Sequence, residues 1–234
     1  MFDKPTGLVL AGGRSRRFGS DKSLHPIGDT TLRAAAAAKL REVCDRVLIS
    51  LPRDANAAAE TLFDGVVTDE YPDAGPLAGI HAAMRHVSMR QAAMPNAAMP
   101  NAAMPNAAMP NAAMHRAAMR NAGAPVRVLV MPCDMPDVTV DTLRRLASGP
   151  RETAAVAVHR GREIGVLACY PAGLLNELAE RLHTGGDALR VANFVRALPA
   201  VEFIELPDAE SLNVNHPIDL STGARVTGGT TTPL

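Results

Sequence analysis

The sequence predicts an α/β protein, a Rossmann-like three-layer sandwich with helices on both faces of a mostly parallel central sheet. Two observations carry that expectation. Short apolar runs alternate with longer helical patterns along most of the 234 residues, as stacked βαβ units require. A glycine-rich loop follows the first apolar run directly, the arrangement that open α/β sheets use where ligands bind. A chain of this length buries one large core, so a single domain over 1–220 is expected.

The elements follow in order. The first strand is read at 7–11, followed by a polar loop to about Lys22. A helix then starts at Thr30 or Thr31, either of which is a good cap, and runs through the alanines to Val43. A strand is expected at Arg46–Leu51, a helix at 55–62, a short strand at Gly65–Thr68, a turn-rich loop at 69–76 and a helix at 77–86. After an interruption come a buried strand at 126–131, a helix at 140–147, and a hairpin of 153–158 with 164–170 turning at Arg160 and Gly161. Helices at 172–182 and 188–197, a strand at 201–206, the segment LNVNHPIDL and a disordered polar tail at 221–234 complete the reading.

The interruption, at about 88–124, is a low-complexity tract. AAMPN recurs with a period of five between 92 and 121, decaying to AAMHR and AAMRN. Pro95, Pro100, Pro105 and Pro110 each remove a backbone donor and clash with the preceding turn, which excludes a regular α-helix across the tract. Spaced methionines offer an adaptable surface or a soft-metal site, but an inert insertion is the simpler reading. Because it follows a helix, it is expected to leave from the sheet edge opposite the ligand crevice.

Composition narrows the function. Twenty-four basic residues balance 24 acidic ones, so nothing favours nucleic acid or an anionic membrane as partner. Three scattered cysteines without CxxC spacing argue against a disulfide framework or structural zinc and fit a reducing cytoplasm. No apolar run approaches the roughly 18 residues of a membrane span, and no signal peptide is read. Only Lys4, Lys22 and Lys39 are lysine, which makes a lysine in a glycine-rich loop more pointed.

Three segments carry chemistry. In LAGGRSRRFGSDKSL, from Leu10 to Leu24, Gly12 and Gly13 let backbone amides approach a triphosphate, and Arg14, Arg16, Arg17 and Lys22 add positive charge there. Neither the Walker A nor the dinucleotide-binding glycine spacing is met. PCDMP, at 132–136, ends a buried strand, so Asp134 is expected at the same carboxyl edge, as a Mg²⁺ ligand or as the cap of the next helix. Cys133 beside it reads as buried filler. In DEYPDAGPLAGIHAAM, Gly75 and Gly79 flank a helix start where a base, ribose or acceptor could approach; Asp69 is the ligand-facing carboxylate and Asp73 the turn former.

These segments, in this order and with Asn213 and Asn215 in LNVNHPIDL, resemble the molybdenum cofactor guanylyltransferases of the MobA-like nucleotidyltransferase superfamily over about 7–220, the repeat excepted. The resemblance implies transfer of GMP from Mg-GTP to the terminal phosphate of molybdopterin, with release of pyrophosphate. It implies that Leu10, Ala11, Gly12 and Gly13 line the guanine and phosphates, that Lys22 binds phosphate and that Asp69 sits by the nucleoside. Asp134 would hold magnesium, and Asn215 falls at a second metal-side position. Gly75, Gly79, Asn213 and Asn215 are candidates for the acceptor side. Molybdenum cofactor biosynthesis or acceptor proteins would be transient partners. LAGG resembles the guanylyl branch, whereas LAAG is common in the cytidylyl and sugar-nucleotide branches. The chain departs from the pattern at Phe18, where methionine is usual, at Ser50, where a base-facing asparagine occurs, and at 164–167, which lacks a preceding His-Pro.

The implied attacking group is a phosphate oxygen, already anionic near neutral pH, so no strong general base is needed. None of the seven histidines has a diagnostic catalytic spacing. The work left is electrostatic: Asp134 with magnesium, Lys22 and Arg17 bring two polyanions together and stabilise the leaving pyrophosphate. A cytidylyl or sugar-phosphate nucleotidyltransferase shares this core. A noncatalytic adaptor acting through the repeat is the alternative from another class.

Overall fold

The computed structural model describes residues 4–11, 21–52, 61–71, 73–93, 126–211 and 213–214. In chain order these form β1 (Thr6–Leu10), β2 (Pro26–Ile27), β3 (Thr30–Thr31), α1 (Leu32–Arg41), β4 (Arg46–Leu51), β5 (Gly65–Thr68) and α2 (Pro76–Ala93). Then follow β6 (Arg127–Pro132), α3 (Val140–Ser148), β7 (Ala154–His159), β8 (Arg162–Pro171), α4 (Leu175–Thr184), α5 (Val191–Ala197) and β9 (Val201–Glu205).

Seven strands form one sheet in the order β5-β4-β1-β6-β8-β7-β9, with β2 and β3 a separate small hairpin. β5, β4, β1 and β6 are mutually parallel, β8 alone runs against its neighbours, and β7 pairs in parallel with β9. The mostly parallel α/β expectation is met. Alternation along the central strands explains the two helical layers. Val9, Ile49 and Leu129 point into a core shared with Leu40 of α1 and Leu143 of α3. Leu8, Leu48 and Val130 point into the opposite core with Leu77 of α2, Leu178 of α4 and Phe194 of α5. Each such aliphatic side chain contributes about 1.5–3 kcal/mol on full burial.

Local signals explain the boundaries. Thr31 caps α1, its hydroxyl accepting from the Ala34 amide at 3.4 Å, while Lys39 and Arg41 sit in the last turn where the helix dipole favours cations. The expected hairpin turns at Arg160 (φ 48°) and Gly161 (φ 74°), the paired positive φ of a tight two-residue connection. The β2–β3 hairpin was not expected; Gly28-Asp29 between Ile27 and Thr30 was its turn signal. α2 continues seven residues past the expected end at His86, so 88–93 are helical. The described part of α2 ends at Ala93. Most of the helix expected at 55–62, the tract from 94 onward and the tail at 221–234 lie outside the described residues.

The order of strands places the crevice. From β1 the chain moves outward through α1 to β4 and β5, then α2 carries it back past β1 to β6. Connections therefore diverge between β1 and β6, and their carboxyl ends open a groove there. The chain departs for the repeat tract from the end of α2 and re-enters at β6, whose first residues pair beside the start of β1. That is the sheet edge away from the crevice. Among the described residues no helix is long and apolar enough to cross a membrane.

Candidate active site at the carboxyl edge of the sheet

Lys22 is fixed by local chemistry. Asp21 accepts from both the amide and the hydroxyl of Ser23, at 2.9 and 2.8 Å, capping a single 3-10 turn over Lys22–Leu24. Asp134 lies in the turn that follows β6, next to β1: Leu10 pairs with Pro132, and the Cys133 amide donates to the Leu10 carbonyl at 3.2 Å. Parallel pairing thus brings the two loops to one rim, where Lys22 Nζ donates to Asp134 Oδ2 at 3.0 Å across 112 residues of sequence. Both side chains are largely shielded, with 14% and 28% exposure, so this pair is screened less than an ordinary surface bridge.

The alternative that Asp134 caps the next helix is set aside. Thr139 caps α3, its hydroxyl accepting from the Thr142 amide at 3.2 Å. Cys133 is buried, and that burial pushes its thiol up to about 12, which suits filler and not a nucleophile.

The third loop belongs to the same edge, farther out. Asp69 follows β5, two strands from β1, which at about 4.8 Å per strand is about 10 Å away. Its Oδ1 accepts from the Tyr71 amide at 2.7 Å, and Tyr71 packs edge-on against His81 and His183, with ring centroids 5.4 Å away in each case. Asp73 takes a turn conformation with φ 63°, and exposed Gly75, φ 68°, leads into α2.

Gly79 has a packing role. It is buried, and a Cβ there would meet Ser50 Oγ at 2.5 Å and Leu10 Cδ2 at 3.1 Å. The missing side chain lets α2 seat directly on the ends of β4 and β1. Ser50 is buried under that helix, and its carbonyl accepts from the Ala11 amide at 3.3 Å. The Leu10 side chain packs into the α2-side core. Replacing Gly79 with alanine is expected to cost about 1–3 kcal/mol, read from the urea midpoint, with partial recovery on adding Ser50→Ala. An unchanged midpoint would contradict this packing.

Val214 docks on the same turn, its amide donating to the Asp134 carbonyl at 2.8 Å. Exposed Asn213 therefore flanks the Asp134 loop. Gly12, Gly13, Arg17 and Asn215 lie outside the described residues.

One feature was missed from sequence. A cavity of about 390 Å³ opens beside Asn213, lined by His159, Arg162, Ile164, Gly165 and Val191 among others. Its cause is a bulge: the partner of Val156 is Ala168 but that of Ala157 is Ile164, leaving 165–167 unmatched. A Cβ on Gly165 would meet Val191 Cγ1 at 2.5 Å, so α5 closes down on the bulged strand. Glycine inside a strand pattern was the available signal.

A protein-family model described as the MobA-like NTP transferase domain matches residues 7–200. The chain belongs to this family. It is therefore a MobA-like nucleotidyltransferase, and the rim just described is that of a MobA-like domain. The molybdenum cofactor guanylyltransferase of Rhizobium johnstonii is 30% identical over 229 residues, covering 94% of this chain and 91% of that protein. Shorter matches reach higher identity. A Pelotomaculum thermopropionicum protein described as "Probable molybdenum cofactor guanylyltransferase" is 43% identical over 79 residues, but the match spans only 34% of this chain and 38% of that relative. Among solved structures, molybdopterin-guanine dinucleotide biosynthesis protein A from Archaeoglobus fulgidus superposes with a TM-score of 0.62 at 20% identity, covering 93% of this chain and 96% of that one. A Mycobacterium tuberculosis protein solved in complex with manganese gives 0.57 at 24% identity over 94% and 97%. At these identities the two structures speak for the shared MobA-like fold.

Proposed function

We propose that this chain transfers GMP from Mg-GTP to the terminal phosphate of molybdopterin, releasing pyrophosphate. The observation that carries the reading is the Lys22–Asp134 pair, 3.0 Å apart at the carboxyl edge, immediately beside the end of the strand that leads into LAGG. The near full-length Rhizobium relative supports the guanylyl reaction and the molybdenum cofactor as acceptor.

The residues present suit a divalent metal. Asp134 already holds a cation, the Lys22 ammonium, against its carboxylate. Among the described residues no three His, Cys, Asp or Glu side chains gather as a cluster, so a metal here would take its ligands beyond Asp134 and Asn215 from phosphate and water, as Mg²⁺ prefers. The Mycobacterium tuberculosis relative with manganese supports the same reading. When bound, the metal would neutralise phosphate charge and favour departure of pyrophosphate. Asn215 would be its second protein-side ligand.

The side chains of the protein then divide the charge. With metal and nucleotide bound, Lys22 would exchange Asp134 for the phosphates, where its ammonium would act together with Arg17. Backbone amides of Gly12 and Gly13 cradle the triphosphate, and Asp69 faces the nucleoside. Asn213, next to the Val214 that is bonded to the Asp134 carbonyl, would meet the acceptor, with the adjoining cavity walled by His159, Arg162 and Glu163 as its place. Gly75, exposed at the start of α2, remains on the acceptor side of this picture. The attacking phosphate needs no base, so alignment and charge stabilisation provide the rate.

Two measurements test this. With molybdopterin, magnesium and each of GTP, CTP, ATP and UTP, mass spectrometry should find the dinucleotide product with GTP. In a thermal panel, a nucleotide at about 100 times its dissociation constant stabilises the folded chain by about 2.7 kcal/mol, or about 5–10 °C at this size. GTP should give the largest rise. A larger rise and product with CTP would replace the guanylyl reading by the cytidylyl one.

A further inference from the structure

Behind the Lys22–Asp134 pair, a second lysine grips the same loop. Residues 133–139 join β6 to α3 without forming helix or strand, and they include Pro136, which has no amide proton to give. Inward carbonyls of such a loop need donors from elsewhere. Lys39, half-buried in the last turn of α1, supplies them: its ammonium donates to the Pro136 carbonyl and, at 2.8 Å, to that of Val138. From the C-terminal side comes Glu210, a buried carboxylate whose two oxygens both serve Thr139, one accepting from its amide at 3.1 Å and the other from its hydroxyl at 3.0 Å. Thr139 in turn caps α3.

Asp134 therefore stands two residues from one anchored carbonyl, and its own carbonyl is held by Val214. Two of the three lysines in the whole chain converge on this one loop, Lys22 from the rim and Lys39 from beneath. Lysine fits beneath because a compact ammonium can point separate protons at two carbonyls, whereas the planar fork of arginine is larger and its donors are fixed in one plane.

We propose that Lys39 and Glu210 are positioning residues that hold the β6–α3 loop so that the Asp134 carboxylate meets metal and nucleotide in working geometry. This rests on the reading of Asp134 as the metal-holding carboxylate. A loop is a less exact platform than a helix or strand, so a side chain that must stand within about 0.5 Å of its place needs such a brace. Loss of comparable outer partners at metal sites lowers metal affinity about 10–100-fold.

The test needs no turnover. GTP affinity is measured calorimetrically with and without Mn²⁺, in the absence of acceptor, and the ratio gives the gain in affinity due to metal. In Lys39→Met and Glu210→Gln the gain should fall about tenfold or more, while metal-free GTP affinity stays at the parent's value. A purely structural role would lower the melting temperature and metal-free affinity together. Folded variants that keep the full gain, while Asp134→Asn loses it, overturn the brace and leave the Asp134 reading standing. Retention of the gain in Asp134→Asn removes that reading and the brace with it. If Lys39→Met does not fold, Glu210→Gln, unchanged in shape, decides on the same scale.

Discussion

Asp134→Ala is expected to reduce transfer from GTP by at least about 10³-fold in kcat while the protein stays folded. The first half follows from charge. The rim brings a triphosphate against an anionic acceptor, and Asp134 is the described carboxylate that stands beside the end of β1. Without it the metal loses its protein anchor, and both alignment and leaving-group stabilisation weaken together. The second half follows from what the side chain does for the fold. The hydrogen bond that ties its loop to Val214 uses the backbone carbonyl, which alanine keeps. The side chain contributes the pair with Lys22, and losing one partner of this partly shielded bridge costs about 1–3 kcal/mol, below the stability of an ordinary domain. Radiolabelled GTP with product separation, alongside a thermal melt, checks both halves. A variant that melts as before and still shows magnesium-dependent transfer would remove Asp134 from the mechanism.

Lys22→Ala is expected to lower kcat by about 10²–10³-fold, the scale of losing one preorganised positive donor at developing charge. A second consequence runs the other way. With no nucleotide present, the Lys22 ammonium sits 3.0 Å from the oxygen that a metal would take, so it competes with the metal for Asp134. Removing it should make metal binding to the nucleotide-free protein tighter even as turnover collapses. Mn²⁺ titration followed by electron paramagnetic resonance reads the first effect, and steady-state kinetics the second. Unchanged kcat would exclude the phosphate role. Weaker metal binding without nucleotide would show that the lysine helps to build the metal site.

Much of this was legible along the chain because the determining forces are local. The bounds of β4 and β5 follow from their apolar runs, and the start of α1 follows from the cap at Thr31. The turn at Arg160-Gly161 follows from the one geometry that joins twisted strands in two residues. What could not be read were features made by distant segments. Glycine at position 79 signals a close approach in sequence, but only packing showed that Ser50 is one of the groups that comes close. The cavity beside Asn213 depends on a bulge whose two strands, α5 wall and C-terminal segment come from four stretches of chain. Lys39 and Glu210 belong to no motif, being 171 residues apart in sequence and joined only through the loop between them.

The sequence by itself determined the class of fold, the three chemical segments and the expectation that they share an edge. Periodicity and turn residues act over a few positions, and parallel strands with crossover helices leave few ways to stack. Tertiary structure alone decided which charges meet. It placed the ammonium of Lys22 on the carboxylate of Asp134, turned Gly79 inward and put a second lysine beneath the loop. Those outcomes depend on register and helix seating over distances of a few ångströms. Electrostatic interaction is steep at that scale, and no linear pattern encodes it.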